Sequence, residues 1–310
     1  MKDFTPIAVT SRSFSNNPVL RKALLENYGT VTFNTTGKVL SGESLVDFLK
    51  GHVKTIVGLE LLDEHLFSQL HELQVVSKYG VGLDNIDLQA MRDFNVRLGW
   101  TPGVNKRSVA ELVLCFAISL LRDIPAASRE LREGLWRPQH GRELSGKIVG
   151  VIGCGSVGKD VISLLRPFEC TTLVHDILDF HDFYDENHAT PVSLEELMTQ
   201  SDIITIHVPL DNSTRNLLSA DRLALLKRSA ILINTSRGEV IDAVAIKAML
   251  IDRRLAGVAC DVFSPEPPED MELIRLPNFF GTPHIGGSTE EAILAMGYAA
   301  ISGLDSARIP

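Results

Sequence analysis

The 310-residue sequence predicts an α/β protein of two doubly wound parallel-sheet domains with a cleft between them. Three observations predict it. The first hundred residues alternate short apolar runs with helical stretches, the pattern of a parallel sheet covered by helices. A glycine loop, Gly153-Cys154-Gly155-Ser156-Val157-Gly158, then falls near mid-chain, with a strand-like run before it and a helix-like run after it. A second series of alternating runs follows that loop to residue 281.

In the first series, strands are expected at 7–9, 30–33, 55–58, 74–77 and 95–98, and helices at 18–27, 44–50, 64–72 and 87–93. No phosphate loop follows the first strand, because Thr10-Ser11-Arg12-Ser13-Phe14 contains no glycine. Pro102-Gly103 marks the approach to a long helical region over 108–134, which Pro125 interrupts. The second series places six strands at 148–152, 172–174, 203–207, 230–234, 257–260 and 279–281. Its helices are expected at 159–166, 194–200, 220–226 and 243–251. A last helix over 289–304 is expected to return to the first domain. The expected domains are therefore 1–100 with 288–310, and 101–287.

The glycine loop says what the second domain binds. Lys147-Ile148-Val149-Gly150-Val151-Ile152 reads as a buried parallel strand, and Val161, Ile162, Leu164 and Leu165 give the following helix its apolar face. Asp176 ends the next apolar run, near the roughly 20-residue spacing of a ribose-binding carboxylate. Strand, loop, helix and acid together indicate a dinucleotide-binding domain. An acid at that place repels a 2′-phosphate, which favours NAD over NADP.

Composition excludes several classes. Hydrophobic residues make up 45% and charged residues 22%, as in soluble globular enzymes. A formal charge of −9 argues against a nucleic-acid partner. Cys115, Cys154, Cys170 and Cys260 show no metal spacing and read as reduced thiols of a cytoplasmic protein. The longest apolar run, 109–121, contains Glu111 and is too short to span a membrane. The run 181–188 carries metal-ligand residue types, but it reads as a solvated loop, so no metal is expected.

Chemistry-bearing residues cluster after three strands of the second series. Arg237 follows 231–234, Asp261 and Glu266 follow 257–260, and His284 follows 279–281. Ligands of open α/β sheets bind at the carboxyl ends of strands. A histidine titrating near neutrality can move a proton at a carbonyl or hydroxyl oxygen while hydride moves at carbon. A carboxylate beside it fixes the ring, and arginine offers a permanently charged fork for a substrate carboxylate.

The chain resembles the D-isomer-specific 2-hydroxyacid dehydrogenases, with the 3-phosphoglycerate dehydrogenase group the nearest general likeness. The likeness runs through Gly80-Val81-Gly82-Leu83-Asp84-Asn85-Ile86-Asp87, Thr101-Pro102-Gly103-Val104-Asn105 and Ser108-Val109-Ala110-Glu111-Leu112. It continues through the glycine loop, His207-Val208-Pro209-Leu210, 234–238, 261–267 and 283–287. It implies an NAD-dependent oxidoreductase acting on a small anionic D-2-hydroxy acid or 2-keto acid, 3-phosphoglycerate among the options. It also implies roles. Arg237, Glu266 and His284 would be catalytic, His284 as acid/base paired with Glu266. Gly153, Gly155, Ser156, Val157, Gly158, Asp176, Val208, Pro209, Thr235, Ser236, Asp261, His284 and Gly287 would contact NAD, with Asp261 at the nicotinamide carboxamide. Lys78, Tyr79, Gly80, Val81, Gly82 and Arg237 would bind substrate. Homodimerisation through 109–121 is implied as well. Ser156 stands where arginine is common in the family. Lys78, Lys106 and Arg107 are the cations that could meet a substrate phosphate. The alternatives are a dinucleotide-sensing regulator on the same fold, which would not need the Arg–Glu–His set, and formate-type hydride donation, against which the Glu–His pair argues.

Overall fold

A computed structural model describes residues 2–310. The chain divides into two compact units, one of residues up to Asn105 with Thr289–Pro310 and one of Lys106–Ser288. The breaks fall just beyond those read from the sequence.

Unit one begins β1 (Ile7–Val9), α1 (Arg12–Asn16), α2 (Pro18–Asn27), β2 (Val31–Phe33) and α3 (Glu43–Leu49). It continues β3 (Lys54–Val57), α4 (Glu64–Gln69), β4 (Val75–Lys78), α5 (Leu88–Asp93) and β5 (Arg97–Gly99). All strands are parallel, in the order β2-β1-β3-β4-β5. The order reverses between β1 and β3, so the loops after those strands diverge there. Central strands are apolar on both faces because helices cover both. Ala8, Val57 and Val76 pack under Leu45, Leu49, Phe67 and Met91. Ile7, Val9 and Ile56 pack under Phe14, Leu20 and Leu24. Side-chain caps start the helices: Asn17 accepts from Val19 N and Leu20 N ahead of Pro18, and Asp63 and Asp87 cap α4 and α5. Helix α1 was not foreseen; it is one capped turn, too short to show a period.

Unit two opens with α6 (Lys106–Leu121) and α7 (Ile124–Arg132), then β6 (Ile148–Ile152), α8 (Ser156–Leu165), β7 (Thr171–His175), α9 (His181–Asn187) and β8 (Ala189–Pro191). It continues α10 (Leu194–Gln200), β9 (Ile203–Ile206), α11 (Ala220–Leu223), β10 (Ile231–Asn234), α12 (Ala243–Ile251), β11 (Gly257–Cys260), α13 (Met271–Ile274) and β12 (Phe279–Gly281). The helical region breaks before Pro125, where Asp123 turns left-handed at φ 54°. The seven strands are parallel, in the order β12-β11-β10-β9-β6-β7-β8. The sequence suggested six. The seventh, β8, is a three-residue edge strand ending in Pro191, and an edge is where a strand tolerates proline. The run 181–188 is also corrected: 181–187 form α9, which buries Tyr184.

Thr289 caps α14 (Glu290–Ser306), which belongs to unit one. Ser77 Oγ donates to Ala300 O at 2.6 Å, and Asp305 accepts from Tyr28 and Lys54 at 2.8 Å each. A Cβ on Gly99 would collide with the Gly303 carbonyl, so this packing requires glycine. Among the described residues no helix is long and apolar enough to cross a membrane.

Candidate active site

The three loop glycines answer three different demands. Gly153 has φ 94°, and a Cβ there would lie 2.8 Å from the His207 carbonyl carbon. Gly158 touches the Gly153 carbonyl, so any side chain would push α8 off β6. A Cβ on Gly155 would meet nothing within 4 Å. That open space faces the start of α8, where Gly155 is the cap and no side chain accepts from the first turn. The Ser156 and Val157 end of α8 thus presents uncapped backbone N–H groups and the positive end of the helix dipole, features that suit an anion. Asp176, just past β7, is pinned to the loop: Oδ2 accepts from Cys154 N at 2.5 Å and Oδ1 from Leu178 N at 2.8 Å. Each oxygen keeps a lone pair for a ribose hydroxyl. Burial pushes the Cys154 thiol up to about 11, so it fills space and is not a reactive thiolate.

At the end of β10, Asn234 builds the loop that carries Arg237. Its Oδ1 accepts from Ser236 N and Oγ, and its Nδ2 donates to Arg237 O at 2.8 Å. Gly238 follows because a side chain there would strike the Phe263 backbone. Arg237 Nη1 donates to Ser236 O at 2.7 Å. Thr235 Oγ1 is buried without a hydrogen-bond partner, a polar atom left for a ligand.

The loops after β11 and β12 hold one another. Asp261 is 1% exposed. Its Oδ1 accepts from Thr282 Oγ1 at 2.6 Å and Ile285 N at 2.7 Å, its Oδ2 from Gly286 N at 2.7 Å, and its backbone O from His284 N at 2.9 Å. Ser108 Oγ ties down the Gly286 carbonyl, and half-buried Gly287 follows. This clamp fixes His284 at φ 53°, a left-handed conformation uncommon for histidine. Its Nδ1 then lies 2.8 Å from Glu266 Oε2, while Glu266 Oε1 accepts from Phe263 N at 3.0 Å. A carboxylate only accepts, so Nδ1 carries the hydrogen and Nε2 is left for chemistry.

His207, past β9, is a different histidine. Desolvation pushes it down to about 3, so it is neutral, and its Nε2 meets Thr205 Oγ1 at 2.9 Å. Val208 packs over Gly153, and Pro209 is exposed.

In unit one, Tyr79 is buried with its hydroxyl 3.4 Å from Ser13 Oγ, and Gly80 has φ 134°. Gly80, Val81 and Gly82 are partly exposed. Lys78 is only 5% exposed and donates to Gly58 O and Asn85 Oδ1, both at 2.6 Å. Of the other two cations, Arg107 pairs with Asp160 at 2.9 Å, and Lys106 is exposed.

A family model described as the NAD binding domain of D-isomer specific 2-hydroxyacid dehydrogenase matches residues 114–286. The chain belongs to the D-isomer-specific 2-hydroxyacid dehydrogenases. It is 34% identical to D-3-phosphoglycerate dehydrogenase of Methanocaldococcus jannaschii over 283 residues, covering 88% of this chain and 52% of that one. It therefore spans about half the length of that relative. Hydroxypyruvate reductase of Thermotoga maritima is 35% identical over 225 residues, with 71% and 72% covered. The structure of D-2-hydroxyisocaproate dehydrogenase superposes with a TM-score of 0.82 at 28% identity, over 97% of this chain and 95% of that one. The cofactor of this family's domain is NAD. The open face of Gly155, the unfilled start of α8 and the unpartnered Thr235 hydroxyl fit such a group.

The Asp261 carboxylate is committed to the loop that carries His284, so it shapes the site before any ligand arrives. Within 109–121, Val109, Ala110, Val113, Phe116, Ala117 and Leu121 of α6 are buried in their own unit, while Glu111 and Cys115 are exposed and Leu112, Leu114 and Ile118 are partly so. Ser108, Thr282 and Asn234 shape the loops of unit two, and Asn85 a loop of unit one, yet none was singled out. All but Thr282 lie within the motifs that carry the family likeness, and Thr282 immediately precedes one.

Proposed function

We propose that the protein is an NAD-dependent dehydrogenase that interconverts a D-2-hydroxy acid and its 2-keto acid. The observation that carries this is the 2.8 Å His284 Nδ1–Glu266 Oε2 contact, on the strand edge that also bears Arg237. Bound NADH supplies the hydride. His284, its Nδ1 held by Glu266, donates the Nε2 proton to the keto oxygen during reduction and takes it back during oxidation. Arg237 holds the substrate carboxylate through its guanidinium fork. Asp176 selects against a 2′-phosphate.

Two of the three cations read as phosphate partners already have protein partners, buried Lys78 with Gly58 and Asn85 and exposed Arg107 with Asp160. This supports a small unphosphorylated acid, of the hydroxypyruvate or glyoxylate kind, over 3-phosphoglycerate. NADH oxidation with glyoxylate, hydroxypyruvate, phosphohydroxypyruvate and 2-ketoisocaproate tests both statements. The expected result is an unphosphorylated acid ahead by about tenfold in kcat/KM, the scale of one charged contact. A lead for phosphohydroxypyruvate reverses the substrate assignment, and silence with every acid despite NADH binding overturns the activity.

The four free thiols fit a cytoplasmic protein. The surface proposed for a second copy includes the segment that follows α6. All of 131–140 is exposed, including Leu131 and Trp136 at 82%. Sedimentation should give twice the 34.0 kDa chain mass. Trp136→Ser should shift it toward monomer, and a wild-type monomer at micromolar concentration rules the dimer out.

A further inference from the structure

Lys78 closes β4 with an ammonium taken almost wholly out of water. Such a group is expensive to bury, and methionine would fill the same space more cheaply. What it does there is visible in its partners. Lys78 Nζ donates to Gly58 O and Asn85 Oδ1 at 2.6 Å each. An ammonium has no acceptor, so it fixes which end of the Asn85 amide faces it. The Asn85 Nδ2 is then turned to Gly58 O at 3.2 Å and Glu60 O at 2.5 Å. Glu60, 1% exposed, closes the ring by accepting from Gly58 N at 2.7 Å.

The ring joins two loops at the carboxyl edge of the unit-one sheet, 58–60 after β3 and 79–85 after β4. Gly80 rides on the lysine stem: a Cβ there would lie 3.4 Å from Lys78 Cε. Beyond it, Trp100 Nε1 donates to Val81 O at 3.1 Å and fixes that peptide from the other side. The 80–82 backbone is thus held through its flanks.

We propose that Lys78, with Asn85, is a positioning residue that presets the 80–82 amides to receive the substrate carboxylate, without touching the substrate. The proposal rests on the 2-keto acid reading. It differs from the expectation that Lys78 itself meets a substrate phosphate.

The test compares wild type, Lys78→Met and Asn85→Ala in the full chain. The readouts are kcat, KM for the best keto acid, the inhibition constant of oxalate as a carboxylate probe, and NADH affinity by fluorescence. Lys78→Met should raise KM and the oxalate constant about tenfold, the scale of one lost charge-assisted contact, with kcat and NADH affinity within about threefold of wild type. Asn85→Ala should do the same, and the double variant should lose no more than either single one. Should Lys78→Met fail to fold, Asn85→Ala in the loop carries the test alone. A folded variant with KM and oxalate binding within twofold of wild type overturns the proposal. So does a KM rise confined to phosphohydroxypyruvate, which would put Lys78 on the phosphate. Wild-type silence with every keto acid overturns the parent reading instead; oxalate binding to the NADH complex then still decides the role of Lys78.

Discussion

Replacing His284 by asparagine should lower kcat by about a thousandfold, the usual range for removing a general acid, while NADH affinity stays within about twofold. Asparagine separates chemistry from backbone. His284 sits at φ 53°, which asparagine tolerates and alanine resists, so the loop held by Asp261 should survive. His207, at the end of β9 in the same sheet, does not replace it. His207 is pushed down to about 3 by desolvation and is bonded to Thr205, so it has no proton to give near neutrality. Glu266 remains, but its place is at Nδ1, on the opposite side of the ring from Nε2. Single-turnover reduction with excess NADH should show the same loss, since the missing step is chemical. A folded His284→Asn enzyme that keeps near-normal kcat removes His284 from the mechanism.

The fold was legible because a parallel sheet writes itself plainly. Strands covered on both faces become short unbroken apolar runs, such as 231–234 and 257–260, and the helix between them must bring the chain back. The glycine loop was legible because close approach and positive φ admit one residue type, at 153 and 158 alike. What stayed hidden were features with no period or with a compensated cost. Helix α1 and the edge strand β8 are too short to repeat. The run 181–188 is polar enough for a loop, and only the packing of Tyr184 shows the helix. Side-chain direction is the larger gap. Asp261 was correctly placed at a strand end, but which donors it meets depends on how the 282–286 loop folds over it. Lys78 was read as a cation that could meet a substrate phosphate. Its inward turn depends on the Gly58 carbonyl and Asn85, which come from separate loops.

Replacing Arg237 by alanine should lower kcat/KM by about a thousandfold, divided between a higher KM and a lower kcat, with NADH affinity preserved. Both constants should move because a carboxylate held by a fork also orients the keto carbon next to it. The substitution removes the Arg237 Nη1 bond to Ser236 O, but the main supports of the loop remain. The loop is shaped by Asn234 on the backbone of Ser236 and Arg237 and by the contact of Gly238 with Phe263, none of which uses the arginine side chain. Lysine at 237 discriminates between charge and geometry. It restores a cation but not two parallel donors, so it should recover KM more than kcat. Full recovery by lysine would mean that Arg237 supplies only charge. An Arg237→Ala enzyme with unchanged kcat/KM would reduce it to an ion-pair partner of its own unit, and the substrate carboxylate would have to be assigned to other donors.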